Sequence, residues 1–597
     1  MREYPQGRKD LVAYASTLTA RPGERFAIMA SAHFNGHYTA DLVRVYCGDS
    51  RPHGTGFDVR AVPEQASGRY PARTQTLKDG SYGRTTNIDL KQSFTAAFKI
   101  YPTTPERACT VLAGAGVAVT LQYGRLQVRV QDTVLQTAGE LLRARRWHEV
   151  AVSVTQTGTI KLWLRALGQG AGEPAILWQS LTDSPGGPQQ ASAGPWWLAC
   201  ADADGDRNFN GRLEALQLLD GDVLPELDAA DQMPNLLDRD AVARWDFGTA
   251  MQTQQIPDLT GQHTLVLHQH PTRAVTGSRW DGSVQDWRQN PDHYAAIAFH
   301  EDDMTDAGWE TDFEWQLPAA LPSGVYAVRL QPEPAVDPDT ADQRVPEYVP
   351  LFVGPGAEAQ RAPVAMLMST ATYLAYGNQR LASADGVVGS KPPRNPNDLY
   401  LLDHPEVGLS TYDHHADGGG VHYASAHRPL LNMRPGSIMW SFNADTNLLA
   451  WLTAVGQDCD VITDHDLHRQ GAAALAPYQA VITGTHPEYY STAMRDGLED
   501  WLGAGGRLMY MGGNGFYWRI AFDPQDDGVL EVRRAEDGTR AWIAKPGEYH
   551  HSFSGEYGGL WQRQGRAPNA LVGIGFTAQG FDGGTHYRWN AAAKDPR

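Results

Sequence analysis

The hydrophobic period of this chain changes once, near residue 362, and that change constrains the fold more than any other feature. Before it, apolar residues recur at every second position. In "FTAAFKI" (94–100), Phe94, Ala96, Phe98 and Ile100 share one face. "VAVTLQYGRLQVRVQ" (117–131) alternates as far as Tyr123, turns at Gly124-Arg125 and alternates again from Leu126. "WHEVAVSVTQTGTIKLWL" (147–164) repeats the pattern around Gly158. A period of two, broken by closely spaced glycine turns, predicts antiparallel sheets packed face to face. After residue 362 the apolar residues come in short unbroken runs: "PVAMLMST" (363–370), "CDVITD" (459–464), "YQAVITGT" (478–485) and "RLMYMGGNG" (507–515). Helical patterns separate them in "NADTNLLAWLTAVGQD" (443–458) and "STAMRDGLEDWLGAGG" (491–506). Ser491 suits a helix N-cap, and Gly503, Gly505 and Gly506 suit its end. Runs of this kind are strands buried on both faces, so a parallel sheet flanked by helices is expected.

A chain of 597 residues is too long for one core, and roughly three to five domains are expected. The β grammar over 76–245, closing on "FNGRLEALQL", resembles a laminin-G or concanavalin-type jelly roll. Residues 1–75 and 246–355 carry further strands. These form either one sandwich interrupted by the jelly roll or two small ones. "VGPGAEAQRAP" (353–363) reads as a linker to an α/β region over 363–597. "DADGDRNFNG" (202–211) imitates a calcium loop through Asp202, Asp204 and Asp206. Its glycine, however, falls at the fourth position, and Leu213 stands where the bidentate glutamate belongs. A solvated hairpin is the expectation there.

With 50 basic and 69 acidic residues, the net charge is −19. Nucleic-acid binding needs clustered Lys and Arg, so that class of partner is excluded. No apolar run approaches the roughly 18 residues of a membrane span. The start, "MREYPQGRKDLVAY", is charged and has no apolar leader segment. Cys47, Cys109, Cys200 and Cys459 are scattered and form no CxxC. Neither a zinc knuckle nor a disulfide framework follows, and a reducing, cytoplasmic setting fits.

In an open parallel sheet, ligands bind beyond the carboxyl ends of the strands. "TATYLAYGN" follows the first run and brings Tyr373, Tyr376 and Asn378. The second is followed by Asp464, His465 and Asp466, the third by His486 and Glu488, and the fourth by Gly512, Gly513 and Asn514. The long connection after the first also holds "STYDHHADGGGVHY", with Tyr412, Asp413, His414, His415, Asp417 and His422. A nucleophile elbow needs a small-x-Ser-x-small turn, and the corresponding turn reads "GTHPEYYS" instead. Cys459 lies at the wrong end of its strand. Zinc at "DHHADGGGVH" stays open, although adjacent histidines seldom chelate one ion. "GGNG" lacks the lysine and following helix of a phosphate loop, so its glycines are expected to admit close backbone approach.

"TATYLAYGN", "LSTYDHHADGGGVHYASAHRPLLNMRP", "TGTHPEYYS", "GGRLMYMGGNGFYW" and "SFSGEYGGLWQRQGRAPNALVGIGFTAQGF" resemble the large subunit of N,N-dimethylformamidase. The resemblance spans nearly the whole chain. It implies an α/β domain similar to class I glutamine amidotransferases but without their cysteine. It also implies a mononuclear Fe(III) held by two tyrosines and a glutamate, which hydrolyses dimethylformamide to formate and dimethylamine. A small partner subunit and association of large subunits into a heterotetramer-like assembly are implied too. Residue by residue, the glutamate ligand falls on Glu488 and one tyrosine on Tyr412. The other falls on Tyr376, with Tyr373 as the alternative. His486 and Asn514 match catalytic-pocket positions, and Phe516 and Trp518 are expected as apolar walls for the substrate methyls. Large subunits of the family continue past the "NAAAKDPR" on which this sequence stops, so later pocket residues, including a carboxylate, are not expected here.

The donor set has its own physical logic. Two phenolates and a carboxylate are hard anionic oxygens that suit a trivalent ion better than zinc, which favours nitrogen and sulfur. Three anions on such an ion leave a neutral site. Two rival classes remain beside the amidohydrolase: a carbohydrate- or surface-binding protein built on the jelly roll, and a non-catalytic scaffold subunit.

Overall fold

The computed structural model describes residues 7–577 apart from 66, 138–141, 169–175, 182–192, 203–206, 225–235, 237–238, 381–394 and 539–540. Part of the calcium-like stretch, including Asp204 and Asp206, lies outside the described residues. The architecture is mostly β, with few helices.

The outermost strands of the β part come from both of its ends. Leu11–Ala15, Arg25–Ala32 and Phe313–Gln316 form a three-stranded antiparallel sheet. A larger sheet runs in the order Thr19–Ala20, Glu347–Val353, Gly324–Glu333, His37–Cys47 and Asp58–Ala61, with Gly68–Pro71 also paired to His37–Cys47. Strand alternation sends side chains to opposite faces. Tyr326, Val328 and Leu330 therefore enter a core with Leu11, Ile28 and Trp315 of the small sheet. Val325 and Ala327, with Val43, Val45 and Phe352, enter the core of the C-terminal α/β region. The larger sheet is thus buried on both faces.

The chain between these two ends builds a sandwich of two large sheets. One runs from Thr133–Gln136 through Arg125–Val130, Val117–Gln122, Cys109–Gly114, Trp197–Leu198, Tyr82–Thr85 and Thr264–His268 to Gln255–Pro257. The other centres on Phe94–Pro102, flanked by His148–Val154 and Gly211–Asp220, and reaches Ala296–Phe299 and Thr272–Val275. Strands beyond residue 245 thus complete both sheets. Between them pack Phe94, Val111, Val128, Ile160, Trp196 and Trp245.

In the C-terminal region the four apolar runs are strands of one parallel sheet. Its order is Cys459–Thr463, Val364–Met368, Ala480–Thr483 and Leu508–Met509. It is smaller than the sequence suggests, because "RLMYMGGNG" contributes only two residues before glycine and asparagine divert the chain. Helices of this region include Thr370–Ala375, Phe442–Ala454, Asp464–Gln470 and Thr492–Gly503, the last capped by the Ser491 hydroxyl accepting from Met494 N, with shorter ones at Pro396–Asp403 and Pro568–Val572. A second small sheet runs Tyr423–Ser425, Val529–Val532, Trp518–Phe522 and Tyr489–Tyr490. It brings the segment after the third parallel strand against the far end of the chain. Among the described residues, no helix is long and apolar enough to cross a membrane.

Two histidines of this region are buried in the neutral form. His465 accepts the Thr370 hydroxyl at Nδ1 (2.8 Å) and donates from Nε2 to the Asp527 carbonyl (3.0 Å). Burial lowers its pKa to about 4. Burial does the same to His551, whose ring nitrogens have no hydrogen-bond partner among the described residues. The folded-state pKa lies below the unfolded value near 6.5, so the associated stability is present above that pH and is lost as pH falls toward 4. The expected loss is roughly 3 kcal/mol per histidine at the acid limit. Urea midpoints measured between about pH 7 and about pH 4 should fall accordingly, and His551→Phe should blunt the fall. A profile that is flat, or unchanged in the variant, would contradict neutral burial.

Candidate active site

The site forms where the parallel strands end. Beyond Met368 the chain turns straight into the helix Thr370–Ala375, whose C-cap is Tyr376. Asn378 then takes a left-handed conformation (φ 59°), which an asparagine tolerates. Its amide donates to the Val407 and Pro429 carbonyls and accepts from Leu431 N, and Asn432 Nδ2 donates to the Tyr376 carbonyl. Tyr376 is therefore fixed from behind. Thr411 Oγ1 and Ser410 Oγ donate to the Ala375 carbonyl, which ties the Tyr412 loop to the same helix end.

Beyond the third strand, Asp445 holds the turn. Its Oδ1 accepts from Thr485 N (2.6 Å) and Thr485 Oγ1 (2.7 Å), and its Oδ2 accepts from the Tyr373 hydroxyl. Gly484 makes that approach possible, since a Cβ there would lie 2.4 Å from Asp445 Oδ2. At Gly512 a Cβ would lie 2.4 Å from the Thr485 carbonyl oxygen, so the "GGNG" backbone closes on the same turn. Glu488 N donates to Thr372 Oγ1, and the Glu488 carbonyl accepts from Tyr517 and Trp518 N.

The result is a compact cluster around the Glu488 carboxylate, which is 2% exposed. Oε2 accepts from the Tyr376 hydroxyl (2.6 Å) and is 2.9 Å from His486 Nε2, and Oε1 accepts from Asn514 Nδ2 (2.5 Å). The Tyr376 and Tyr412 rings stack with centroids 4.4 Å apart. Tyr489 donates to the Tyr412 hydroxyl (2.6 Å) and accepts from Arg534 Nη2 (3.3 Å). The Arg534 guanidinium lies over the Tyr412 ring at 4.5 Å and also donates to the Thr411 carbonyl. Trp440 meets both the Tyr376 and His486 rings edge-on or tilted.

Burial, reinforced by Glu488, pushes the Tyr376 and Tyr412 phenols well above their ordinary pKa. Burial also opposes the charge of Arg534, but Tyr489, Tyr412 and Glu488 outweigh it and hold the guanidinium charged. The phenols thus stay protonated unless a stronger cation sits among the oxygens. The Tyr376 hydroxyl bonds to the Glu488 carboxylate, and with Tyr412 stacked beside it the cluster offers two phenol oxygens and a carboxylate, hard donors that become anionic around a strong cation. The residues present therefore fit a hard, highly charged metal ion.

Tyr376, Tyr412, Glu488, His486 and Asn514 all meet in this cluster. Tyr373 does not, because its hydroxyl is engaged by Asp445. Of the two aromatic walls, Trp518 lies against Arg534 (4.8 Å), whereas Phe516 packs on Tyr490 and Tyr510. Phe516 has a positive φ (55°), and its side chain faces a core rather than the tyrosine stack. The histidines of "DHHADGGGVH" diverge: His415 bonds to Asp302 and His422 packs on Trp542. The Cys459 thiol is pushed up to about 12 by burial and is no nucleophile. Sequence reasoning missed Tyr489, Arg534 and Trp440. The one available signal was "VLEVRR", two adjacent arginines ending an apolar strand, both of which are buried.

A family profile described as N,N-dimethylformamidase beta subunit-like, C-terminal, matches residues 272–596. The N,N-dimethylformamidase beta subunit of Paracoccus aminophilus is 34% identical over 98% of this chain and 82% of its own length. The protein of the same name from an Alcaligenes species is 32% identical over the same shares. Among solved structures, a heptameric SAP-like pentraxin from Limulus polyphemus aligns with 30% of this chain and 76% of its own, at 12% identity and a TM-score of 0.20. Domains LG4-5 of the mouse laminin alpha1 chain align with 37% and 94%, at 8% identity and a TM-score of 0.16. At those scores neither adds to the topology described above.

Tyr489 links the buried cation to the tyrosine stack. Tyr489→Phe removes the donor to Tyr412 and the acceptor of Arg534 with almost no change in volume. Leaving those groups short of a partner should cost roughly 1–3 kcal/mol, read as a lower urea midpoint at unchanged slope. An unchanged midpoint would mean that the relay contributes nothing to stability.

Proposed function

The chain belongs to the N,N-dimethylformamidase beta subunit family, and from that premise we propose that it hydrolyses N,N-dimethylformamide, or a similar small formamide, to formate and dimethylamine. What carries the reading is the meeting of Tyr376, Tyr412 and Glu488 at one buried point, with His486 and Asn514 bonded to the same carboxylate. We assign these three oxygens to a mononuclear Fe(III). When bound, that ion supplies Lewis acidity and a nucleophile from water at neutral pH.

The chain's own residues do the rest. Asn514 and His486 fix the two Glu488 oxygens from opposite partners, so the carboxylate has one orientation. Thr372, Asp445 and Thr485 keep the backbone of that turn from shifting. The hydroxyl of Tyr489, backed by Arg534, fixes the Tyr412 oxygen. A tertiary formamide has no N–H to bind, so it is held by shape, and Trp440 beside His486 supplies an apolar wall for its methyls. Water adds to the carbonyl carbon, the C–N bond breaks, and the amine nitrogen must take up a proton as it leaves. His486 is the group placed to hold and deliver that proton. The site lies at the strand ends of a small parallel sheet, and we read that domain as similar to class I glutamine amidotransferases, with no cysteine at the elbow. The β modules are read as assembly surfaces for a small partner subunit and further large subunits. A cytoplasmic location accords with four free cysteines.

Glu488→Gln, Tyr412→Phe and Tyr376→Phe should each lose iron or formate release while keeping the folded circular dichroism spectrum. Tyr373→Phe should keep both. His486→Asn should keep iron and its visible phenolate absorption yet lose at least ~100-fold in kcat. Near-normal turnover in that variant would make His486 structural, and full iron in all three ligand variants would end the assignment. Sedimentation of the active protein should show species heavier than one chain; full activity as a monomer at micromolar concentration would rule out the assembly role.

A further inference from the structure

A second cluster of metal-capable side chains lies where the turn 300–303 of the large sandwich meets the loop that carries Tyr412. His300, Asp303 and His415 are all buried, and one ligand atom from each lies within 4.8 Å of the others. His415 Nδ1 is 2.7 Å from Asp302 Oδ1, which orients the imidazole and leaves Nε2 to face Asp303 Oδ1 at 3.6 Å. His300 Nδ1 faces Asp303 Oδ2 at 3.3 Å, and its Nε2 is 3.8 Å from Asp417 Oδ2. Ser81 Oγ donates to Asp303 Oδ2 (2.6 Å), and Ala416 N donates to Asp302.

These separations are informative. A charge-assisted hydrogen bond spans about 2.7–2.9 Å, as His415 shows toward Asp302. The Asp303 contacts at 3.3 and 3.6 Å are longer. They run to different oxygens of Asp303, Oδ2 for His300 and Oδ1 for His415, so the carboxylate lies between the two rings, and the shorter contact is near the roughly 3.3 Å that separates two ligands across a tetrahedral angle with bonds near 2.05 Å. The Asp302–His415 contact is the outer carboxylate that commonly orients a metal-binding histidine. Charge points the same way. Among the described residues, the ion-pair partners of Asp302, Asp303 and Asp417 are these two histidines. The two imidazole rings themselves are stacked, with centroids 3.8 Å apart. Room exists as well. A void of about 10 Å³ lies on the Asp303–His415 side of the cluster, lined by Asp302, Asp303, Met304, Thr305, Leu409 and His415. A cavity of about 350 Å³ bordered by His300 and Gly419 gives access to the cluster.

We propose that His300, Asp303 and His415 bind one divalent transition-metal ion of the zinc class, a structural site separate from the tyrosine–glutamate centre. Nitrogen and oxygen donors of this kind suit Zn²⁺ or Co²⁺. The ion joins the sandwich to the loop three residues after Tyr412, so it fixes that tyrosine from the β side. The parallel rings tilt on binding so that their nitrogens converge.

The test uses Co²⁺ as the probe, on the full chain carrying Glu488→Gln, which disables the other centre. Chelator-treated protein should take up one Co²⁺ per chain, develop ligand-field absorption and gain thermal stability. Asp303→Asn and His415→Gln should each weaken Co²⁺ at least about 100-fold, and Asp302→Asn, which acts only through the imidazole, about 10- to 100-fold. Uptake that these substitutions leave unchanged, or no uptake by chain with an intact cluster, overturns the proposal and leaves the two histidines as hydrogen-bonded partners of Asp302 and Asp303. Should the variants fail to fold, uptake by the chain with the intact cluster decides the matter.

Discussion

The Glu488 carboxylate is the constraint on which the C-terminal half depends. It is buried, and its hydrogen-bond partners are a phenol, an imidazole and an amide rather than lysine or arginine. A carboxylate taken out of water without charged partners costs several kcal/mol unless every lone pair is engaged. The surrounding framework engages them. The parallel sheet brings two strand ends side by side, Asp445 clamps the intervening turn, and the "GGNG" backbone closes over it to deliver Asn514. Two of those devices cost something locally: glycines at 484 and 512 where no side chain fits, and a buried aspartate at 445. They are retained together because the carboxylate cannot be held there without them.

The broad division of the chain was legible because hydrophobic period is a local property. Alternation over 94–164 can only be read as half-buried strands, and unbroken runs after 362 only as strands covered on both sides. Where each sheet ends was not legible. Residues 255–299 complete the large sandwich because Thr264–His268 pairs with Tyr82–Thr85 and Ala296–Phe299 with Gly211–Asp220, strands far away in the chain, and no local pattern encodes that. The strand at 507–515 was overestimated because Met509 and Met511 read as apolar strand positions, yet both are exposed where the glycines turn the chain. Val325 and Ala327 show the converse. Their strand, "GVYAVRLQP", looks like any β segment, but the C-terminal core covers its second face.

The candidate site was legible in the same uneven way. Glu488 and His486 could be placed from the strand-end rule alone, and they lie there. Tyr412 sits in a long connection whose path is set by Ala375, Thr411 and Trp542, so the strand-end rule could place it among several candidates but only resemblance to a family could single it out as a ligand. Tyr373 and Tyr376 were indistinguishable by pattern. Three positions apart on a short helix, they should share a face, and what separates them is Asp445, which captures the first hydroxyl. Arg534 and Tyr489 were invisible because buried arginines and tyrosines carry no periodic signature; their meaning comes from the oxygen they reach. "GFYW" looks like a pocket wall, and in the structure the Phe516 ring packs on Tyr490 and Tyr510.

The β modules are not appendages to this site. The sheet containing Gly324–Glu333 shares its second face with the parallel-sheet core, and Glu347 of that sheet, fully buried, pairs with both Lys9 and Arg434. Arg434 in turn donates to the Leu430 carbonyl, on the segment that supplies Asn432 to Tyr376. From the other side, Asp302 and Asp303 hold His415, three residues from Tyr412. Both tyrosines of the stack are thus positioned by groups that the sandwich sheets supply, one through an ion-paired arginine and one through a histidine. Close-packed cores transmit such constraints because they cannot deform continuously. A C-terminal fragment would keep the strands that present Glu488 but would lose what orients its two phenolic neighbours.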